Sequence, residues 1–105
     1  MTVLSMGLAL LAACSEPRPV AEALALQGVA ERGKAQYQMV CARCHGQEGG
    51  GMARTPALRG RVHGLGDEVV MDAMLNGRGA MARTRLTDQQ AADVLAYLRA
   101  TFPAP

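Results

Sequence analysis

Cys41-Ala42-Arg43-Cys44-His45 sets two thiols three residues apart and an imidazole directly after the second. Thiols at this spacing can add across the two vinyl groups of haem, and the adjacent imidazole can reach the iron from one side of the ring. C-x-x-C-H therefore predicts one covalently attached haem c on Cys41 and Cys44, with His45 as an iron ligand. At i and i+3 near a helix end, the two sulfurs lie on one face. A zinc site would want a second ligand pair, but the only other histidine is His63 and the only other cysteine is Cys14. A redox-active C-x-x-C needs a strand before it and alternating strands and helices after it, which the chain lacks. A plain disulfide between Cys41 and Cys44 is the remaining alternative.

An electron carrier fills the second axial position of such a haem with a protein side chain, whereas an enzyme acting on oxygen, peroxide or nitrite keeps it open or displaceable. The downstream candidates are Met52, His63, Met71, Met74 and Met81. Met71 and Met74 stand at i and i+3 in an apolar helical pattern, a spacing that marks a core face. Met52 follows His45 too closely to reach the opposite side of a ring, and His63 sits in a polar loop between Arg61 and Gly64. Met81 ends the flexible stretch Asn76-Gly77-Arg78-Gly79-Ala80-Met81, where a long unbranched thioether can extend without helical constraint. Met81 is the expected sixth ligand.

The elements that must position these groups read as helices. A helix over about Ala30 to Arg43 carries Gly33, Tyr37, Val40 and Cys41 along one stripe, and the cysteines fall at its end. Gly46-Gln47-Glu48-Gly49-Gly50-Gly51 is too rich in glycine for helix or strand and predicts a loop. A second helix runs from about Asp67 to Leu75, opened by the acidic pair Asp67-Glu68 and closed at Asn76-Gly77. Thr87-Asp88-Gln89-Gln90 has the form of a capping box with Thr87 as N-cap, leading into a helix that stops near Thr101, before Pro103. Its apolar stripe contains Ala91, Val94, Leu95, Leu98 and Tyr97. No alternating strand pattern and no internal repeat occurs. The expected fold class is all-α, with three main helices and loops wrapped around one haem.

Size supports the same reading. The 105 residues allow one small domain, whose only aromatics are Tyr37, Tyr97 and Phe102, with no Trp. A core this poor in aromatics needs a staple, and a large buried cofactor supplies one. A formal net charge of +2 is too small to announce a nucleic-acid partner.

Val3 to Ala13 is apolar and ends in Leu11-Ala12-Ala13-Cys14, followed by the polar stretch Ser15-Glu16-Pro17-Arg18-Pro19. The run is too short to span a bilayer and reads as a signal segment. It resembles the lipobox of bacterial lipoproteins, which implies cleavage before Cys14 and acylation of its sulfur. The expected organisation is a signal peptide over residues 1–13, a lipid-anchored tether over 14–27 with prolines opposing helix, and the domain over 28–105. The resemblance also implies location on the periplasmic side of a bacterial membrane. Met1 to Ser5 lacks the basic residue of a usual signal, so a start upstream of Met1 is expected.

With these residues assembled, the chain from about Val29 to Phe102 resembles the class I monohaem cytochromes c. In that family C-x-x-C-H ends the first helix, as Cys41, Cys44 and His45 do. A glycine and an aromatic four apart meet an aliphatic and a tyrosine three apart where the last helix crosses the first. Gly33 with Tyr37, and Val94 with Tyr97, match that pattern. The family's proline, whose carbonyl accepts the ring N–H of the proximal histidine, corresponds to Pro56 in Thr55-Pro56-Ala57-Leu58. Gly77 to Met81 is similar to the ligand loop of small bacterial members, although Ala82 stands where many carry proline. The family's tryptophan near a propionate has no counterpart, which leaves Arg59, Arg61 and Arg78 as candidates for that contact.

The resemblance implies single-electron transfer between membrane-linked or periplasmic redox proteins, with no substrate turned over. Arg54, Arg59, Arg61, Arg78, Arg83 and Arg85 fall in loops expected around the haem edge, where they can steer an acidic partner. Two other functions remain open: a haem subunit fixed within a larger dehydrogenase or oxidase, and a haem enzyme or sensor with an open axial site.

Overall fold

A computed structural model describes residues 16–104. The expected signal segment and Cys14 lie outside the described residues. In chain order the elements are α1 (Val20–Leu24), α2 (Ala30–Gln36), a π turn (Tyr37–Cys41), α3 (Ala42–His45), a 3-10 turn (Val62–Gly64), α4 (Asp67–Asn76) and α5 (Asp88–Thr101). Among the described residues there is no strand, only the isolated bridges Met52–Thr55 and Arg78–Met81. The fold is all-α.

The centre of the fold is the crossing of α2 and α5. A Cβ added to Gly33 would lie 1.9 Å from the carbonyl oxygen of Asp93 and 2.9 Å from Cβ of Tyr97, so only glycine lets the two backbones approach this closely. Beside the crossing, Asp93 is buried to 3 % exposure on the inward side of α5. Its carboxylate accepts from Val29 N (2.8 Å), Arg32 Nε (2.9 Å) and Gln89 Nε2 (3.0 Å), which satisfies a charge otherwise costly to bury. These contacts with Arg32 hold its carboxyl below the usual carboxylate range. Tyr37, Tyr97 and Phe102 form an aromatic cluster with centroids 5.4 to 6.2 Å apart at tilted and edge-on angles.

The expected caps appear. Thr87 Oγ1 accepts from Gln90 N at 3.1 Å and Gln90 Oε1 accepts from Thr87 N at 2.9 Å, closing the capping box of α5. Asp67 and Glu68 occupy the first turn of α4, which runs one residue further than expected, to Asn76. Its inward face contributes Val70, Met71, Met74 and Leu75 to the core.

Two expectations need correction. The first helix does not end at Arg43 as one regular α-helix; it passes through the π turn and continues to His45. An i→i+5 turn inserts one residue and rotates the helix beyond it, which places Tyr37 in the core while the same helix still delivers Cys41 and His45 further along. The stretch expected as a tether is also folded from Arg18 onward. Pro17 and Pro19 precede α1 without interrupting it, Pro19 standing at its N-cap position, and Ala23 of α1 is fully buried. The helix packs against α4 and α5, so the compact unit begins near Arg18 rather than at residue 28.

Candidate functional site

His45 ends α3, where Gly46 turns the chain away with φ +86°. The next loop folds back on it. Gly51 N donates to the His45 carbonyl at 2.8 Å, Leu58 N to that of Gly49 at 2.8 Å, and Thr55 N to that of Met52 at 2.7 Å. These ties bring the Pro56 carbonyl to 3.1 Å from Nδ1 of His45. A carbonyl can only accept, so the ring proton sits on Nδ1 and the lone pair of Nε2 is free to bind a metal.

Tyr37 supports the same turn from the core side. It is fully buried and its hydroxyl donates to the Gly46 carbonyl at 2.7 Å. Burial pushes the phenol up to about 12, with smaller effects from Cys41 and Tyr97, so it remains a donor at neutral pH. Cys41 is half-buried and Cys44 exposed, both as free thiols. Burial, and then the neighbouring Cys44, push the Cys41 thiol up to about 11.

Met81 is half-buried and faces Arg78 across a tight pair of backbone hydrogen bonds, each 2.9 Å. Thr84 fastens this loop to α4, donating both N (2.9 Å) and Oγ1 (2.8 Å) to the Met74 carbonyl. The other candidates fall elsewhere: Met71 and Met74 are buried in the α4 face, Met52 is 52 % exposed, and His63 is exposed in the 3-10 turn. Arg54, Arg59, Arg61, Arg78, Arg83 and Arg85 are all exposed. Among the described residues the ion pairs are Arg18–Asp88, Arg32–Asp93 and Arg99–Asp67, which include none of those six.

Two free thiols and an oriented imidazole on one short segment fit a ring held at several points. Among the described residues no three His, Cys, Asp or Glu side chains come together to hold a metal ion. The two thiols and the imidazole thus present separate attachment points on one short segment, one of them an oriented His with a free Nε2.

The family described as cytochrome c oxidase, cbb3-type, subunit III matches residues 28–98. This chain belongs to that family. It is a c-type cytochrome, and membership implies haem c and haem-based electron transfer. The search of curated proteins gives no match. Among the described residues of this cytochrome, no helix is long and apolar enough to cross a membrane.

Three supports of the site escape a reading of the sequence. The Tyr37 hydroxyl was signalled only by the residue type, since a buried tyrosine needs a partner where phenylalanine does not. Phe102 presses its ring on Gly49, where a Cβ would come within 2.7 Å of Cζ; the 52 residues between them hide this contact. Arg18, between two prolines, gives no local signal that it reaches α4 and α5.

Proposed function

We propose that this cytochrome is a single-electron carrier with one haem c bound through Cys41 and Cys44 and ligated by His45 and Met81, doing no chemistry on a substrate. The observation that carries the reading is the 3.1 Å contact of His45 Nδ1 with the Pro56 carbonyl beside two free thiols, which orients an imidazole for a metal on its far nitrogen. The bound group supplies a one-electron couple between ferrous and ferric iron. Pro56 fixes the tautomer and the ring plane of His45 and raises its basicity. Met81 offers a soft, neutral donor, which favours the ferrous form over what an imidazole would give. Tyr37 and the glycine loop hold the proximal turn still, so that little rearranges when the charge changes.

The exposed arginines of loops 54–61 and 78–85 suit an acidic redox partner. The family's description as an oxidase subunit favours a second reading, in which the domain passes electrons as one subunit of an oxidase complex. Acylation of Cys14 would hold it at the periplasmic face of a membrane.

The test is the absorption spectrum of the ferric holoprotein beside that of Met81→Ala. The weak long-wavelength band of a sulfur–iron bond is expected in the native protein and absent from the variant. A native protein without that band, binding cyanide as readily as the variant does, would move an enzymatic or sensing role to the front.

A further inference from the structure

Arg18 touches both ends of the loop that carries Met81. Its backbone N donates to Asn76 Oδ1 at 2.6 Å, and Asn76 Nδ2 donates back to the Arg18 carbonyl at 3.0 Å. Its guanidinium donates through Nη1 to the Leu86 carbonyl at 2.7 Å and through Nη2 to Asp88 Oδ1 at 2.8 Å. Asn76 is the last residue of α4, Leu86 is the buried residue that closes the loop, and Asp88 opens α5. One residue thus bridges the point where the loop leaves the helical frame and the point where it returns. Among the described residues the ties between these points are Gly77 N to the Ala73 carbonyl, the Arg78–Met81 pair and the hydrogen bonds of Thr84, while Arg78, Gly79 and Ala80 are exposed. The family match begins at residue 28, so the clasp comes from a segment outside the matched region.

We infer that Arg18 is a positioning residue for Met81: by pinning both ends of loop 77–86 it sets how readily the thioether gives way to a competing ligand. The inference rests on Met81 being the sixth ligand. Fixing two ends of a ten-residue loop removes conformations in which Met81 swings away from the iron it would bind. The planar guanidinium suits the task, because it satisfies a carbonyl and a carboxylate at once, and an ammonium lacks that fork. The reciprocal Asn76 contact uses Arg18 backbone and survives substitution of the side chain, so a variant loosens chiefly the Leu86 and Asp88 end.

The experiment titrates the ferric holoprotein with imidazole in four forms: native, Arg18→Ala, Met81→Ala and the double variant. Hydrogen exchange of backbone amides is followed on the same samples. Arg18→Ala is expected to bind imidazole about tenfold more tightly and to exchange faster in residues 77–86 but not in 46–58, with Arg18→Lys intermediate. In the Met81→Ala background, Arg18→Ala is expected to add nothing, because no thioether is left to displace. If Met81→Ala binds imidazole as the native protein does, the ligand assignment itself fails. If Met81→Ala binds more tightly and Arg18→Ala does not, the clasp fails while the assignment stands. Exchange that rises equally in both loops would reduce Arg18 to general stability and overturn the inference as well.

Discussion

The two loops that flank the site differ in where most of their ties come from. Loop 46–58 is tied mostly to itself: backbone hydrogen bonds from Gly51, Leu58 and Thr55, and the Pro56–His45 contact, join residues within this loop or to the histidine it serves, and the Tyr37 hydroxyl and Phe102 ring brace it from the core. Loop 77–86 closes on itself through the Arg78–Met81 pair and the bond from Leu86 N to Thr84 Oγ1, and is otherwise secured from α4 through Gly77 and Thr84 and from the N-terminal segment through Arg18. A self-closed loop keeps its shape when distant residues change, whereas a loop fixed at its ends inherits the stability of whatever holds it. On the proposed ligand set, the first would serve the permanent ligand His45 and the second the more adjustable Met81.

Glycine substitutions give the sharpest break between the two. Gly51 has φ +81°, and a Cβ there would lie 2.8 Å from the Thr55 carbonyl oxygen. Gly51→Ala combines left-handed strain with crowding and is expected to cost about 3 kcal/mol in denaturant unfolding of the holoprotein. Gly79 also has positive φ, +57°, but its Cβ would meet nothing within 4 Å. Gly79→Ala should therefore cost only about 1 kcal/mol, from strain alone. Equal losses at the two positions would contradict the contrast.

Asp93 joins α5 to the start of α2, outside both loops, and should act on them evenly. Asp93→Asn leaves an amide facing Arg32 and weakens the hold on Val29 N; Arg32 being 58 % exposed, the ion pair itself adds little. The expected loss, about 1.5 kcal/mol, comes from the charged hydrogen bonds. Since the folded carboxyl titrates below its unfolded value of about 3.9, its contribution is complete above that pH and fades as pH falls through the lower folded value. Acid unfolding curves of native protein and Asp93→Asn should converge in that range. Curves that stay parallel would remove Asp93 from the account.

Local chemistry explains what the sequence made visible. Cys41, Cys44 and His45 form a contiguous motif, Thr87 and Gln90 a capping signature, and Gly33 with Tyr37 a helical stripe; each is legible within a few residues. The Pro56 contact was reachable through a family resemblance, since nothing in Thr55-Pro56-Ala57 alone tells where its carbonyl points. The π turn was not legible, because a stripe with three- and four-residue intervals reads the same with one inserted residue as without it. The fold of residues 18–24 was missed because two prolines suggested a tether, while the partners of Arg18 lie 58 to 70 positions away. What is encoded by long-range pairing, such as the clasp on the Met81 loop, leaves no local trace.

The central claim, a six-coordinate carrier with His45 and Met81 on the iron, is met most directly by potentiometric titration of the holoprotein, with carbon monoxide added at the reduced end. The account predicts a single one-electron transition, low-spin spectra in both states and no change with carbon monoxide. A reduced protein that takes up carbon monoxide rapidly would show the distal position open and contradict it.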